Sequence, residues 1–428
     1  MFKYARIEGK GKRREMKKVF NSILEFFIII LQGIMIGVMF IFCKLKFRVK
    51  LNKNGIELPK EPAIFLCNHQ SNWDPIFFRV LMPRRIYFLA HDELFKNKFT
   101  AWCAKHLIDT VKRGASKNDI SAIRQLLELK KKRKNIGIFP EGGISFWCES
   151  SKVPENMAKL CKKLKMPIVL HQLNGASFYY PRYNDYKAKV RPIINRMKVI
   201  AVDEVEAMTV EELTQVINES LYVNDFEVQK KRMVDLRRKH PAEKVERGLF
   251  CCPHCKGFET LSTKDNVIKC SKCGFYNIVN RYELLESPNP NFAYYEDFIA
   301  WDSFQIEYLS EYLEKYEEAD TPILSTYTAL VKYGKETDSY SHIEEQNACF
   351  EVFKDHLLLT IGLEVYNIPY DDVVYAYVEF RDTLEIKMAN TKLRLRHEDN
   401  IVWSPYHFAK AINALMQINK QTGTDCHK

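Results

Sequence analysis

The chain reads as an α/β domain behind an apolar N-terminal segment, followed by a small cysteine-knuckle module and an α+β C-terminal domain. Three observations predict this order. Between Ala63 and about Asn224 short apolar runs alternate with helix-like stretches, the pattern of strands and helices in an α/β sheet. Two Cys-x2-Cys pairs come next, Cys252/Cys255 and Cys270/Cys273. Beyond Pro322 alternating strands dominate and one amphipathic helix closes the chain.

Length and composition set the outer bounds. At 428 residues the chain is too long for one ordinary domain, and its 46% hydrophobic content is enough for real cores. A formal net charge of +11, from 65 Lys+Arg against 54 Asp+Glu, makes an anionic membrane surface or nucleic acid the first partners to weigh. Four of the twelve cysteines fall in the two close pairs and the rest are scattered. With no cleavable secretion signal, this favours a reducing, cytosolic setting over a disulfide framework.

Residues 1–18 form a basic arm with eight Lys/Arg, and residues 19–50 are expected to be a membrane-associated helical segment. Its centre, Phe26 to Cys43, holds Gln32 as its only strongly polar side chain, and eighteen such residues make a candidate for spanning a bilayer. Lys44, Lys46, Arg48 and Lys50 follow it, so both ends are basic and the positive-inside rule gives no orientation. A re-entrant or interfacial segment with both ends on the cytosolic side fits as well as a span.

The next domain is expected over residues 51–225, with strands at Ala63–Cys67, Arg85–Ala90, Ile108–Val111, Ile136–Phe139, Ile168–Leu173 and Lys198–Val202. Thr209-Val-Glu-Glu212 reads as a capping box opening a last helix through Leu221. Two stretches in it carry chemistry. Asn68-His69-Gln70-Ser71-Asn72-Trp73-Asp74 lies where a strand gives way to a helix. There an Asp can fix one imidazole nitrogen and leave the other free to take a proton; the plain alternative is a helix start capped by Asn72 or Asp74. Gly137-Ile-Phe-Pro-Glu-Gly-Gly-Ile-Ser145 is a strand running into a turn, whose glycines let the backbone close on a ligand and whose carboxylate accepts hydrogen bonds. Between them, Lys112 and Arg113 sit at a strand end, and an Arg there suits a bidentate grip on phosphate.

Together these stretches resemble the glycerolipid acyltransferase family, which includes the 1-acylglycerol-3-phosphate acyltransferases, over roughly residues 20 to 225. The family's Asn-His-x4-Asp block matches Asn68, His69 and Asp74. The resemblance implies that His69 is the general base, with Asp74 its orienting partner. The second block matches Lys112-Arg113-Gly114 and implies that Arg113 meets the acceptor phosphate. The third matches Phe139, Pro140, Glu141, Gly142 and Ser145, and the fourth Pro167 to Leu170. The resemblance thus points to Asn68, Lys112, Arg113, Glu141, Gly142 and Gly143 as the substrate-binding set. The family's Thr and Arg in the third block are Gly143 and Ile144 here, so a phosphate-binding cation is missing and the acceptor stays open; Lys112, Arg182 and Lys187 are the cations that compensate in principle.

The implied reaction moves an acyl group from acyl-ACP or acyl-CoA to the hydroxyl of a lysophospholipid, first of all 1-acylglycerol-3-phosphate, at the cytoplasmic face of the cell membrane. It needs no cofactor. The alternatives are another lysophospholipid acceptor, or an inactive lipid-binding adaptor. No Gly-x-Ser-x-Gly elbow and no phosphate loop is present, and nucleic acid is not an expected partner because the basic stretches lack aromatics for base stacking.

Residues 226–247 are expected to be a basic, helix-compatible connector centred on KKRMVDLRRKH, read either as a solvated helix face or as a lipid-headgroup contact. Residues 248–280 read as a zinc ribbon: Cys252, Cys255, Cys270 and Cys273 have knuckle spacing, and four thiolates close a structural Zn²⁺ site with no open position. Cys251 and His254 are possible substitute ligands. Residues 281–320 form a helical linker in which Tyr308, Tyr312 and Tyr316, with Leu309 and Leu313, read as core. Residues 321–420, a run of strands closed by a helix at about Pro405–Ile418, are similar in layout alone to the pleckstrin-homology-like (PH-like) domains.

Overall fold

The computed structural model describes residues 30–91, 97–107, 109–113, 120–292, 295–335, 346–389, 391–397 and 403–425. The basic arm and the first part of the apolar segment, residues 1–29, lie outside them. The chain forms two compact units. One runs to Gly143 and takes in Ser151–Ala176 and Arg191–Tyr222; the other comprises Ile144–Ser150, Ser177–Val190 and everything from Val223. The expected domain of residues 51–225 therefore lends Ile144–Ser150, Ser177–Val190 and its last three residues to the second unit.

Residues 30–46 form helix α1. Among the described residues no helix is long and apolar enough to cross a membrane. The first unit is built on a seven-stranded sheet in the order β1-β7-β6-β2-β5-β3-β4. Its strands are β1 (Lys50–Asn52), β2 (Ile64–Cys67), β3 (Ile86–His91), β4 (Thr110–Arg113), β5 (Asn135–Ile138), β6 (Ile168–Asn174) and β7 (Ile193–Ile200). The pairings of β2 with β5 and β6, and of β3 with β4 and β5, are parallel. β7 runs antiparallel to β6, and β1 parallel to β7. Each expected strand is present within a few residues, while the exposed β1 had no apolar signal.

Both faces of the central strands are buried, which is why they read as unbroken apolar runs. On one face Ile64, Leu66, Ile136, Ile138, Ile168 and Leu170 pack with Leu126 of α4 (Ile120–Lys131, after α3 at Lys98–Leu107), Cys161 and Leu164 of α5 (Glu155–Leu164), Val205 of α6 (Val202–Ala207), and Leu213, Ile217 and Leu221 of α7 (Val210–Leu221). The other face is aromatic. Phe78 of α2 (Asp74–Leu81) lies edge-on to Phe88, Phe139 and His171, at 6.2, 6.0 and 5.2 Å between ring centroids. Gly137 has to be glycine, because a Cβ there would come within 2.5 Å of the Phe88 ring. Burial, with Arg196 nearby, pushes the His171 imidazole down to about 3, so it is a neutral core ring.

The second unit starts from α8 (Asp225–Arg232), whose N-cap Asn224 accepts from Phe226 and Glu227 N–H. The expected basic connector is not a solvated helix face throughout. Arg238 is buried, bonded by Nε to Glu283 Oε1 at 2.5 Å and by Nη2 to the Phe178 carbonyl at 2.6 Å. Tyr183 completes the group by donating to Glu283 Oε2 at 3.0 Å.

A four-stranded antiparallel sheet follows, in the order β11-β10-β9-β8: β8 (Leu261–Lys264), β9 (Val267–Cys270), β10 (Tyr276–Val279) and β11 (Leu285–Glu286). β11 carries this module past the expected boundary at residue 280. Helix α9 (Phe298–Glu314) buries Phe298, Trp301, Gln305, Leu309 and Leu313. The expected tyrosine stripe sits at the rim of that core instead: Tyr312 is exposed, and Tyr308 and Tyr312 pack on Phe258 at 5.5 and 5.2 Å.

The C-terminal part is mostly sheet. Seven antiparallel strands lie in the order β15-β14-β13-β12-β18-β17-β16, and α10 (Pro405–Asp425) packs on β16 and β17. They are β12 (Leu324–Lys335), β13 (Gln346–Val352), β14 (His356–Ile361), β15 (Glu364–Pro369), β16 (Val373–Glu379), β17 (Thr383–Met388) and β18 (Thr391–Arg396).

Candidate active site

His69 lies just past the carboxyl end of β2, in the middle of the parallel part of the sheet, and Glu141 just past the end of the adjacent β5. Open α/β sheets bind ligands outside the carboxyl ends of their strands, where the strand order reverses. Here β2 has β5 on one side and β6 on the other.

The link from Asn68 to Asp74 folds back so that the first carboxylate of α2 meets the imidazole. Asp74 is fully buried, and its Oδ2 lies 2.8 Å from His69 Nδ1. The same oxygen accepts from the Gln70 and Ser71 N–H at 2.6 and 2.8 Å, and Oδ1 accepts from the Ser71 hydroxyl at 2.5 Å. A carboxylate only accepts, so it holds the ring with the proton on Nδ1 and leaves Nε2 as the basic atom. Asp74 is in the first turn of α2, whose N-cap, Trp73, makes no side-chain cap bond. Its carboxylate serves the turn before the helix rather than capping it.

His69 is also held by its main chain and by its flat face. Glu141 Oε1 accepts from His69 N–H at 2.9 Å while Oε2 accepts from Ser151 N–H at 2.7 Å. Burial pushes the Glu141 carboxyl up to about 7. The Phe139 ring stacks on the imidazole at 4.7 Å and 27°. The His69 side chain keeps 21% of its surface open, enough for an approach to the reactive edge.

The expected substrate-binding residues are placed unequally. Asn68 is buried, and its amide is spent on β6, donating to the Leu173 carbonyl at 2.8 Å and accepting from Leu173 N–H at 2.6 Å. It tethers the end of β2 instead of facing a ligand. Glu141 uses both oxygens on backbone N–H groups. Gly142 is exposed with φ +78°, a left-handed conformation that favours glycine, and a Cβ at Gly143 would meet open space. Lys112 and Arg113 end β4, paired with Ala90 and His91 of β3 at the same edge of the sheet; their side chains, and Gly114, lie outside the described residues. Of the compensating cations, Arg182 belongs to the second unit and donates to the Val378 carbonyl at 2.7 Å. Lys187, in the same unit, lies 5.7 Å from the Tyr180 ring.

Sequence reasoning missed Phe139 and Ser71 as partners of the pair. Their signal was adjacency alone: both lie inside the stretches already singled out.

Cys252, Cys255, Cys270 and Cys273 converge, with all four sulfurs within 4.8 Å of one another. A tetrahedral Zn²⁺ with bonds of about 2.3 Å sets its sulfurs about 3.8 Å apart. Cys252 to Cys273 is 3.7 Å and Cys255 to Cys270 is 3.8 Å, so the four thiols fit zinc. Cys251 is buried with its carbonyl bonded to Trp301 Nε1, and His254 lies edge-on to Phe292 at 5.0 Å; neither is in the cluster.

Residues 48–170 match the family model described as Acyltransferase. No match is found among curated proteins. Among solved structures the chain is similar to the 1-acyl-sn-glycerophosphate (LPA) acyltransferase PlsC from Thermotoga maritima, at 17% identity and a TM-score of 0.39. That likeness spans 47% of this chain and 82% of that one.

Proposed function

We propose, from the premise that residues 48–170 form an acyltransferase-family domain, that this enzyme transfers a fatty acyl group from a thioester donor, acyl-ACP or acyl-CoA, to the hydroxyl of a lysophospholipid, with 1-acylglycerol-3-phosphate the first candidate. The carrying observation is the His69–Asp74 pair, a base whose tautomer is fixed by a buried carboxylate.

His69 Nε2 takes the proton of the acceptor hydroxyl as its oxygen attacks the thioester carbonyl. The C–S bond then breaks, and the leaving thiolate takes the proton back from the imidazolium. No group of the enzyme is acylated. A positioned base of this kind contributes about 10²–10⁴-fold, and the remainder comes from holding donor and acceptor together. Cys252, Cys255, Cys270 and Cys273 would hold a zinc ion, which would supply a structural cross-link and no part of the acyl transfer.

The reading sets the enzyme at the cytoplasmic face of the membrane, and helix α1 supports the membrane part of it. Ile34, Val38, Ile41 and Leu45 recur at helical spacing along one face and are 60%, 63%, 57% and 77% exposed, an apolar stripe suited to an acyl-chain boundary. At its C-terminal end an aromatic cluster joins this helix to the catalytic block, with Trp73 stacked on Phe42 at 5.7 Å and packed on Phe47 at 5.0 Å. A second acceptor is favoured by the space at Gly143, where this chain lacks both the side chain and the neighbouring cation of the resembling family.

The test presents a panel of lysolipids in vesicles with acyl-CoA or acyl-ACP, and compares wild type with His69→Ala and with Ile34→Asp/Val38→Asp. His69→Ala is expected to lose about 10²-fold or more in kcat. The paired Asp variant is expected to lose vesicle binding while keeping turnover on detergent-dispersed substrate. Equal activity of wild type and His69→Ala would sink the reading; a preference for an acceptor without the phosphate monoester would change the substrate and keep the chemistry.

A further inference from the structure

We propose that Glu141 is a positioning residue that acts through His69 and does not bind the acyl acceptor. The inference rests on the reading of His69 as the base and assigns the turn after β5 a different task from substrate binding.

Three observations carry it. First, both oxygens of the Glu141 carboxylate are engaged by the protein itself: Oε1 holds His69 N–H and Oε2 holds Ser151 N–H. It is a brace between two main chains, fixing the residue whose imidazole must be aimed. Second, the same short segment seats the ring. Phe139, two positions before Glu141, stacks on the imidazole, and Phe139 is fixed in turn by Phe88 at 5.6 Å and Phe78 at 6.0 Å. Pro140 between them has a locked φ and no N–H, so the tripeptide is stiff. Third, the bonds divide the work. Asp74 sets the rotation of the imidazole through Nδ1, Phe139 sets its tilt, and Glu141 sets the main chain from which the side chain springs. Removing the last shifts the base as a body without unmaking the pair with Asp74.

The placement also explains why a carboxylate rather than an amide stands here. Both partners of Glu141 are donors. A Gln offers one acceptor oxygen and turns its NH₂ toward the second N–H, leaving one of the two main-chain donors without its acceptor. The other titratable groups that face this carboxyl are His69, Asp74 and Cys67.

The experiment measures kcat and acceptor KM for wild type, Glu141→Gln and Glu141→Asp with acyl-CoA and the best acceptor of the lysolipid panel, with thermal unfolding of each. A misplaced base costs about 10²-fold, so Glu141→Gln is expected to lose about that much in kcat while KM stays within about twofold. Glu141→Asp keeps both acceptor oxygens one methylene short and is expected to recover part of the loss. If the Gln variant does not fold, the same kcat-to-KM comparison on Glu141→Asp decides. A rise in KM with kcat preserved would make Glu141 an acceptor-binding group and overturn the proposal, as would wild-type kinetics in the Gln variant. Both outcomes are distinguishable from failure of the reaction scheme itself, which His69→Ala tests independently.

Discussion

At the scale of single residues, the site is a set of buried or half-buried polar atoms that are matched to one another. Asp74 serves four donors with two oxygens, and Glu141 serves two with two. The cost of the second arrangement shows in its ionisation. Burial pushes the Glu141 carboxyl from 4.5 to about 7, against the two N–H bonds that favour the anion. An acid whose folded value is raised binds its proton more tightly in the folded state. Its contribution to stability is therefore full at low pH and is lost as pH rises from 4.5 toward 7. Wild type is expected to lose unfolding free energy across that window more steeply than Glu141→Gln, which has no proton to release. Urea unfolding at a series of pH values measures both slopes, and parallel curves would show that Glu141 titrates normally.

At the scale of elements, what the residues announce locally is what the structure contains. Thr209-Val-Glu-Glu212 forms a reciprocal box: Glu212 N–H donates to Thr209 Oγ1 at 3.1 Å, and Thr209 N–H to Glu212 Oε2 at 2.8 Å. Thr209→Ala is expected to cost about 1 kcal/mol, read as a lowered midpoint in chemical denaturation with the slope unchanged. The buried strands were legible because apolar runs on both faces leave no other reading, and α7 because its cap is local. β15 carries no such signal, since four of its first five side chains lie exposed on a sheet edge. Asn68 looked like a ligand-binding residue because its partner, Leu173, is 105 positions away. The run Arg237-Arg238-Lys239-His240 looked like a solvated face, yet Arg238 pairs with Glu283 where both side chains are 1% exposed. For Asn68 and Arg238 the deciding partner is distant in sequence, and composition carries no trace of it. The His69–Asp74 pair escaped that limit because both members lie on one turn.

At the scale of the whole molecule, the chain joins a sheet that carries chemistry to a second unit built around thiols and strands. The four cysteines stand on two short knuckles, the second beginning at Cys270, the last residue of β9 in a small four-stranded sheet. Its buried apolar side chains are few: Leu261, Ile268, Cys270, Phe275, Val279 and Leu285. A module of this size usually relies on its metal, because binding free energy and folding free energy are then the same quantity. With all four thiolates as ligands, a zinc ion held here would keep no open position at which to activate a hydroxyl or a carbonyl. Two consequences follow from one cause. Removing zinc with a chelator, or replacing Cys255 or Cys273 with Ser, is expected to lower the thermal stability of the second unit by several degrees or more and to expose protease sites within residues 248–286. The kcat of the protein that remains folded is expected to stay within about twofold, because no step of acyl transfer passes through the metal. Limited proteolysis, a metal count and an acyl-transfer assay on the same sample separate the two effects. A chelated enzyme with an intact second unit and no turnover would place the metal in the reaction and overturn its structural role.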